Sequence, residues 1–457
     1  MTNRLDRDFH LPGLLRFALP TIIMMLVVSL YTIVDGVLIA RLVGENALAA
    51  ANVAYPAISF TLAMGIMLGT GGSAVVAHKM GAGYLEEARR DFGFLALVAV
   101  CIGLAVCLAG ALFAGPLARL LGASDLLLDD TVTYLRVQLC FAPMAMLQLL
   151  FESFFVTAGR PGLGLGLATA AGVTNAVLDY LYMGAMQMGI LGAALGTVTG
   201  YSIPAVAGGL FFLLRRQGLR FGRPHGDLRM LGRACFNGAS EMVTNLSMAV
   251  TTFLFNAIMM AYLGEAGVSA ITIVLYAQFL LVALYMGFSM GVAPVFSFNR
   301  GAGRYDRMRR IFGYCLRFIL VSSVAILAVA LALSGVVVGI FSTPGSPVYA
   351  IALDGFRRFA PAFLFAGVNI FSSALFTALS DGRTSAIISF ARTFGFLLLG
   401  LLLLPRLLEV DGVWLAVPLA ELLSCLLSVW FLRRKRADFG FGGGDLPRHG
   451  GRGGGRI

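Results

Sequence analysis

Twelve apolar stretches, each long enough to cross a bilayer, leave this 457-residue chain little to become except a polytopic helical bundle. They lie near residues 14–40, 47–77, 92–114, 131–158, 162–186, 190–214, 234–262, 268–298, 313–341, 355–379, 384–404 and 411–432. A helix needs about 17–25 residues to span the hydrocarbon core. With no water there, only helices and closed barrels satisfy their own backbone. Composition agrees: 59% of the residues are hydrophobic and 12% charged, against about 25% charged in a soluble domain. Polar groups interrupt the fourth and tenth stretches. The first is too long for a signal-peptide core, lacks a small-residue cleavage site and contains Asp35, so it is expected to remain as a helix.

The net charge of +11 could suggest nucleic acid, but its distribution argues against that partner. Arginine and lysine concentrate in alternate connections: Lys79, Arg89 and Arg90; then Arg215 to Arg233; then Arg300 to Arg310; then Arg433 to Arg436. The intervening connections carry few charges. This positive-inside alternation places both termini in the cytoplasm of a multi-pass plasma-membrane protein. The arginines near 78–91 and 299–311 read as two short amphipathic interface segments snorkelling toward lipid headgroups. The six cysteines have no CxxC spacing and the four histidines no HExxH spacing, so neither disulfides, a metal site nor an enzyme centre is expected. The Gly-rich tail reads as disordered, and its Gly442-Gly443-Gly444-Asp445 as an accidental match to a protease motif.

The chain is one unit written twice. Gly81-Ala82-Gly83, Arg89-Arg90 and Phe92-Gly93 return as Gly301-Ala302-Gly303, Arg309-Arg310 and Phe312-Gly313, always 220 residues later. The same offset relates Gly44-Glu45 to Gly264-Glu265, Gly71 to Gly291, Thr157-Ala158 to Thr377-Ala378 and Gly192 to Gly412. Six spans per copy is an even number, so the copies are parallel, related by an axis along the membrane normal. The expected fold is all-α, with twelve transmembrane helices in two parallel six-helix repeats. An N-lobe over 1–214 would be joined by a cytoplasmic linker, 215–233, to a C-lobe over 234–432, with a tail over 433–457. A cavity between two such lobes suits alternating access.

Asp179 lies inside the fifth apolar stretch, with Asn175 one helical turn before it; Asp35 lies in the first, one turn after Tyr31. An ionisable group at mid-bilayer costs roughly 2.5–3.5 kcal/mol, so it usually marks a function. Together with Thr197 and Thr199 on the sixth stretch, these groups could converge on the lobe interior and exchange a proton or Na⁺ for a cationic substrate. Glu241 and Asn245 repeat the acid–amide spacing in the second lobe. Gln278 is a candidate cavity amide. Glu152 is placed near the cytoplasmic interface, pairing with a neighbouring lobe or loop, and Arg392 with Glu421 as a buried ion pair.

Val34-Asp35, Leu42-Val43-Gly44-Glu45-Asn46-Ala47-Leu48-Ala49-Ala50, Pro56, Gly81-Ala82-Gly83, Asn175-Ala-Val-Leu-Asp179 and Gly192-Ala193-Ala194-Leu195 give the chain, to about residue 432, a resemblance to the multidrug and toxin extrusion (MATE) family. That resemblance implies two lobes forming a V and export of organic cations coupled to inward H⁺ or Na⁺. It implies that Asp35, Asn175, Asp179 and Thr197 match the N-lobe ion-site positions of the branch that includes prokaryotic H⁺-coupled members. The other branch keeps a C-lobe carboxylate in its seventh helix, and Glu241 stands about one turn early for it. The family's Arg after the fourth helix is absent here, where the chain reads Val156-Thr157-Ala158-Gly159-Arg160-Pro161. No cofactor is implied; the partners are small amphipathic cations and membrane lipids, and the chain is expected to act as a monomer. The alternative is a flippase of lipid-linked saccharides from the same superfamily.

Overall fold

The computed structural model describes residues 4–436, 438 and 439, so most of the Gly-rich tail, including the 442–445 motif, lies outside the described residues. Every regular element among the described residues is helical. We number the spans α1 (Leu11–Leu42), α2 (Glu45–Gly81) and α3 (Leu85–Leu120); α4, in two arms (Leu128–Cys140 and Ala142–Thr157); α5 (Pro161–Asp179, continued by the turn Tyr180–Ala185); and α6 (Ile190–Leu214). The second set is α7 (228–263) and α8 (265–301), joined through Gly264; α9 (Tyr305–Ala332); α10, in two arms (Pro347–Phe359 and Ala362–Ala378); α11 (382–408); and α12 (410–434). The fourth and tenth spans, where polar groups interrupt the apolar runs, are bent by 54° each. Ala142-Pro143 and Ala360-Pro361 sit at these bends, where proline cannot donate to the preceding turn.

The repeat is written into the backbone as well as the sequence. Gly44 and Gly264, 220 residues apart, break the chain at φ 126° and φ 62°. Gly189 and Glu409, again 220 apart, do so at φ 60° and φ 51°. Glycine adopts that region without a Cβ clash, whereas Glu409 holds it at a cost.

The two copies meet reciprocally. A side chain at Gly81 would run into the carbonyl of Phe298, and one at Gly301 into the carbonyl of His78, residues related by the same offset. Gly71 of α2 abuts Ala234 and Gly238 of α7, while Gly291 of α8 abuts Ala18 and Thr21 of α1. All these contacts lie toward the arginine-rich end of the bundle. Toward the other end the N-lobe keeps a separate core of Ile39, Ala50, Ala54, Leu135, Ile190 and Ala194 that no C-lobe residue joins among the described residues. The lobes are therefore sealed at the arginine-rich end.

The arginine-rich connections are not the free interface segments the sequence suggests. The helices run to within three residues of each other (turns 82–84 and 302–304), and much of the charge is paired inside the protein. Lys79 bonds Asp91 at 2.7 Å, and Arg89 is buried, donating to Gly218 O at 2.9 Å. Arg304 and Arg307 hold Asp6, and Arg310 holds Asp8 at 3.0 Å, so the segment before α1 straps onto the C-lobe. Of the 215–233 connection, 215–227 is non-helical, and Phe221 stacks on Phe92 of α3 at 4.9 Å.

Candidate functional site

α5 ends at Asp179 and continues as a π-helical turn, Tyr180–Ala185. An inserted residue of this kind rotates the side chains that follow and recurs at functional sites. The equivalent helix α11 carries its own π-helical turn, Ala391–Leu397, which contains Arg392.

Asp179 is fully buried and Asn175 is 3% exposed. The carboxyl facing Asp179 is that of Asp35 on α1. Both oxygens of Asp179 and Oδ1 of Asp35 are enclosed with no donor in hydrogen-bonding geometry, and the amide nitrogen of Asn175, itself a donor standing beside Asp179, meets no acceptor in such geometry. Two acceptor-only groups that face each other can bond only through a shared proton or a bridging cation. Gly196 of α6 makes room for the pair: a Cβ there would strike Asp179 Oδ1. Thr197, next in sequence, donates its hydroxyl to Ala193 O at 3.0 Å, which leaves its oxygen lone pairs available. Thr199 likewise bonds its own helix, at Leu195 O.

The structure adds groups that the sequence reading passed over. Tyr134 of α4, 7% exposed, places its hydroxyl beside Gln138 and Thr197 and within electrostatic reach of both aspartates. Tyr201 of α6 faces the same space as Tyr31, Tyr134 and Asp35. Tyr31 stands beside Gln148 and Glu152 of α4, with Gly172 of α5 pressed against its ring. The signal for Tyr134 was its polar neighbours in an otherwise apolar span. Tyrosine is so common at membrane interfaces that this alone did not single it out.

Glu152 is not at an interface with a neighbouring loop. It is buried, and its Oε1 accepts from Gln148 Nε2 at 3.0 Å, because the bend in α4 tips the second arm into the lobe. In the C-lobe the acid–amide pair does not close: Asn245 Nδ2 donates to the backbone carbonyl of Glu241 at 2.9 Å, and Glu241 lies within electrostatic reach of Arg392. Gln278 makes no side-chain hydrogen bond among the described residues and is not brought to the aspartates. Arg392 and Glu421 do pair, through Nε and Nη2 at 2.9 and 2.6 Å. Asn369 Nδ2 donates to Glu421 Oε2 at 2.7 Å, and Ser428 to Asn369 Oδ1 at 3.1 Å.

Among the described residues no three His, Cys, Asp or Glu side chains cluster as a metal site. A cation at Asp35 and Asp179 would have to complete its shell with neutral oxygens such as those of Asn175 and Thr197. That donor set suits a hard monovalent ion or a proton.

Comparisons with known proteins agree in kind. The chain is 24% identical over 438 residues to the multidrug export protein MepA of Staphylococcus aureus (strain NCTC 8325 / PS 47), covering 92% of this chain and 94% of that protein. MepA of Staphylococcus saprophyticus is 24% identical over 443 residues, with the same coverage. Among solved structures, a MATE transporter in complex with MaL6 superposes with TM-score 0.88 at 19% identity, over 93% of this chain and 96% of that one. A MOP superfamily transporter from Pyrococcus furiosus Vc1 (DSM3638) superposes with TM-score 0.86 at 19% identity and the same coverage. These likenesses establish the twelve-helix, two-lobe fold. The MatE family model matches residues 20–181 and 242–402, one stretch in each lobe, and the chain belongs to the MatE family.

Proposed function

We propose that this multi-pass membrane protein is a secondary antiporter of the plasma membrane that exports small amphipathic organic cations in exchange for inward H⁺ or Na⁺. In this reading the lobes are 1–214 and 234–432, linked through 215–233, with both termini cytoplasmic and the monomer as the working unit. The observation that carries it is the enclosed pair Asp35 and Asp179, three of whose oxygens have no donor. The export activity named for the MepA relatives supports the same direction.

The physical cycle is short. A proton or Na⁺ on the pair cancels like charge in dry surroundings and lets α1 and α5 close together. Its departure leaves repulsion that favours a different helix arrangement, and a cationic guest restores the balance. The ion and the substrate thus bias one two-state element by competing for one region of negative charge. The π-turn after Asp179 and the glycine contact at Gly196 are where such a change can be absorbed. A flippase of lipid-linked saccharides would need free positive charge for pyrophosphate, whereas Arg392, within the α11 span of the C-lobe, is neutralised by Glu421.

The test is efflux of a fluorescent cation from proteoliposomes under separately imposed pH and sodium gradients. Asp179→Asn is expected to abolish gradient-driven efflux. Undiminished efflux by that variant removes the pair from coupling, and response to one gradient alone names the ion.

A further inference from the structure

Several arginines at the charged end of the bundle are answered by the protein itself: Arg304 and Arg307 by Asp6, Arg310 by Asp8, Arg89 by Glu86 and Gly218 O. Arg160 and Arg215 have no ion-pair partner among the described residues, and the fold brings them together. Arg160 is exposed at the end of the turn from α4 to α5, which Gly159 makes at φ 73° and which closes with Arg160 N on Phe155 O at 2.8 Å. Arg215 follows α6 directly, and its Nη1 and Nη2 each reach Ala158 O of that turn at 3.5 Å. α5 and α6 run antiparallel, with Gly196 against Asp179 and Gly200 against Ala171, which sets the start of α5 beside the end of α6.

The Arg215 guanidinium is confined from two sides. Its carbon lies 5.3 Å from the centroid of the Phe211 ring, and a Cβ at Gly218 would come within 2.9 Å of Nη2. Burial first, and the charge of Arg160 second, work against its charged form. Two long contacts to one carbonyl also leave most of its N–H donors unfilled by the described residues. Two like charges so placed gain from an anion between them, and forked guanidinium donors match the several oxygens of a phosphate. The surroundings say which phosphate. Leu210, Leu213 and Leu214 are exposed on the last turns of α6, and Gly162 and Gly166, exposed on the first turns of α5, have open space where a Cβ would stand. A soluble phosphate has no use for such an apolar surface, whereas a phosphate that carries acyl chains does. We propose that Arg160 and Arg215 seat the headgroup phosphate of an anionic phospholipid, in the leaflet at the arginine-rich end, with an acyl chain along the exposed leucines of α6. The phosphate ties the α4–α5 turn to the end of α6. The seat lies at the opposite end of α5 from Asp179, and its occupancy does not depend on what the protein exports.

The experiment is native mass spectrometry of the purified protein in detergent, titrated with dioleoyl phosphatidylglycerol and, separately, with dioleoylglycerol, which has the same chains and no phosphate. Loss of the charge-assisted bonds is expected to weaken the first phosphatidylglycerol by about 10-fold or more in the double variant Arg160→Gln with Arg215→Gln. Dioleoylglycerol binding is expected to be the same in both proteins. Arg216→Gln removes an exposed charge next in the chain and is expected to weaken phosphatidylglycerol by about 2-fold or less, the share of an unseated surface charge. Unaltered phosphatidylglycerol binding in the double variant overturns the seat, as does an equal loss in Arg216→Gln, which would mean diffuse attraction to the whole basic end. Inorganic phosphate is added as competitor and is expected to displace no lipid; displacement at concentrations equal to that of the lipid overturns the lipid assignment. Should the double variant fail to fold, the exposed Arg160→Gln alone carries the test, with a loss of about 3-fold expected and no loss overturning the seat.

Discussion

The two lobes are copies of one six-helix unit, yet the acid pair between α1 and α5 and the ion pair between α11 and α12 treat charge within the spans in opposite ways. In the C-lobe Arg392, Glu421, Asn369 and Ser428 form a network in which each partner is answered by another. In the N-lobe Asp35 and Asp179 face each other with no Lys or Arg paired to either among the described residues, and Asn175 is buried beside them. The positions are not shared: 220 residues after Asp35, Asn175 and Asp179 stand Phe255, Gly395 and Leu399, and 220 before Arg392 and Glu421 stand Gly172 and Tyr201. The Arg392–Glu421 pair is closed electrostatically, which suits a frame. The Asp35–Asp179 pair has no positive partner, the condition that the proposed cation exchange requires.

The largest expected difference lies at the acids themselves. Asp179→Asn should abolish gradient-driven efflux from proteoliposomes, while Leu399→Asn at the equivalent C-lobe position should leave most of it. Equal loss in both would mean that the lobes do not differ in role. Next comes the frame. Arg392→Met strands Glu421, and breaking a buried pair on one side costs about 3–5 kcal/mol. Thermal unfolding of the detergent-solubilised protein should fall accordingly. The double substitution Arg392→Met with Glu421→Met should recover most of that loss and keep efflux, because matched apolar groups leave no stranded charge. A double variant that stays folded but no longer transports would move the C-lobe pair from frame to machinery.

A smaller effect is expected at Gly196, where a Cβ would collide with Asp179 Oδ1. Gly196→Ala should cost about 1–3 kcal/mol through overpacking and slow efflux, since the carboxylate must swing aside. Gly400→Ala in the C-lobe, where the nearest atom is 3.5 Å away, should be mild by comparison.

Much of this was legible in the sequence because it is periodic. Span lengths, the 220-residue repeat, the interruption of the fourth and tenth spans and the pairing of Arg392 with Glu421 follow from spacing and composition. Asp35 and Asp179 stood out because charge is rare at that depth. What failed to show was direction. Glu152 was placed by its distance from the helix end, and only the 54° bend in α4 reveals that it points at Tyr31. Asn245 shares the acid–amide spacing of Asn175, yet an amide in a helix can always turn back to a carbonyl four residues earlier, and Asn245 does. The arginines at the helix ends read as lipid-facing because their partners, Asp6 and Asp8, lie about 300 residues away along the chain. Tyr134 and Gln138 share a helix face, but no local rule aims that face at Asp179.

The smallest effect separates the first helices of the two lobes. α1 starts after His10, which makes no side-chain cap, whereas α7 starts after Asp227, whose carboxylate accepts from Arg229 N at 2.9 Å and Met230 N at 3.1 Å. These backbone donors, Met230 first, hold the Asp227 carboxyl below its ordinary value. A depressed carboxyl adds stability that is present above the unfolded value, near pH 4, and is lost as pH falls through the folded one. Asp227→Ala should therefore cost about 0.5–1 kcal/mol at neutral pH, the range of an exposed cap. That difference should shrink in acid below about pH 4, while Asp227→Asn, which caps without titrating, should stay nearly flat. His10→Ala removes no cap bond and should show no capping penalty. Thermal unfolding of the three variants between pH 3 and 8 reads the difference directly. A pH-independent Asp227→Ala penalty would show that the carboxylate acts on α7 by packing rather than by accepting from its first turn.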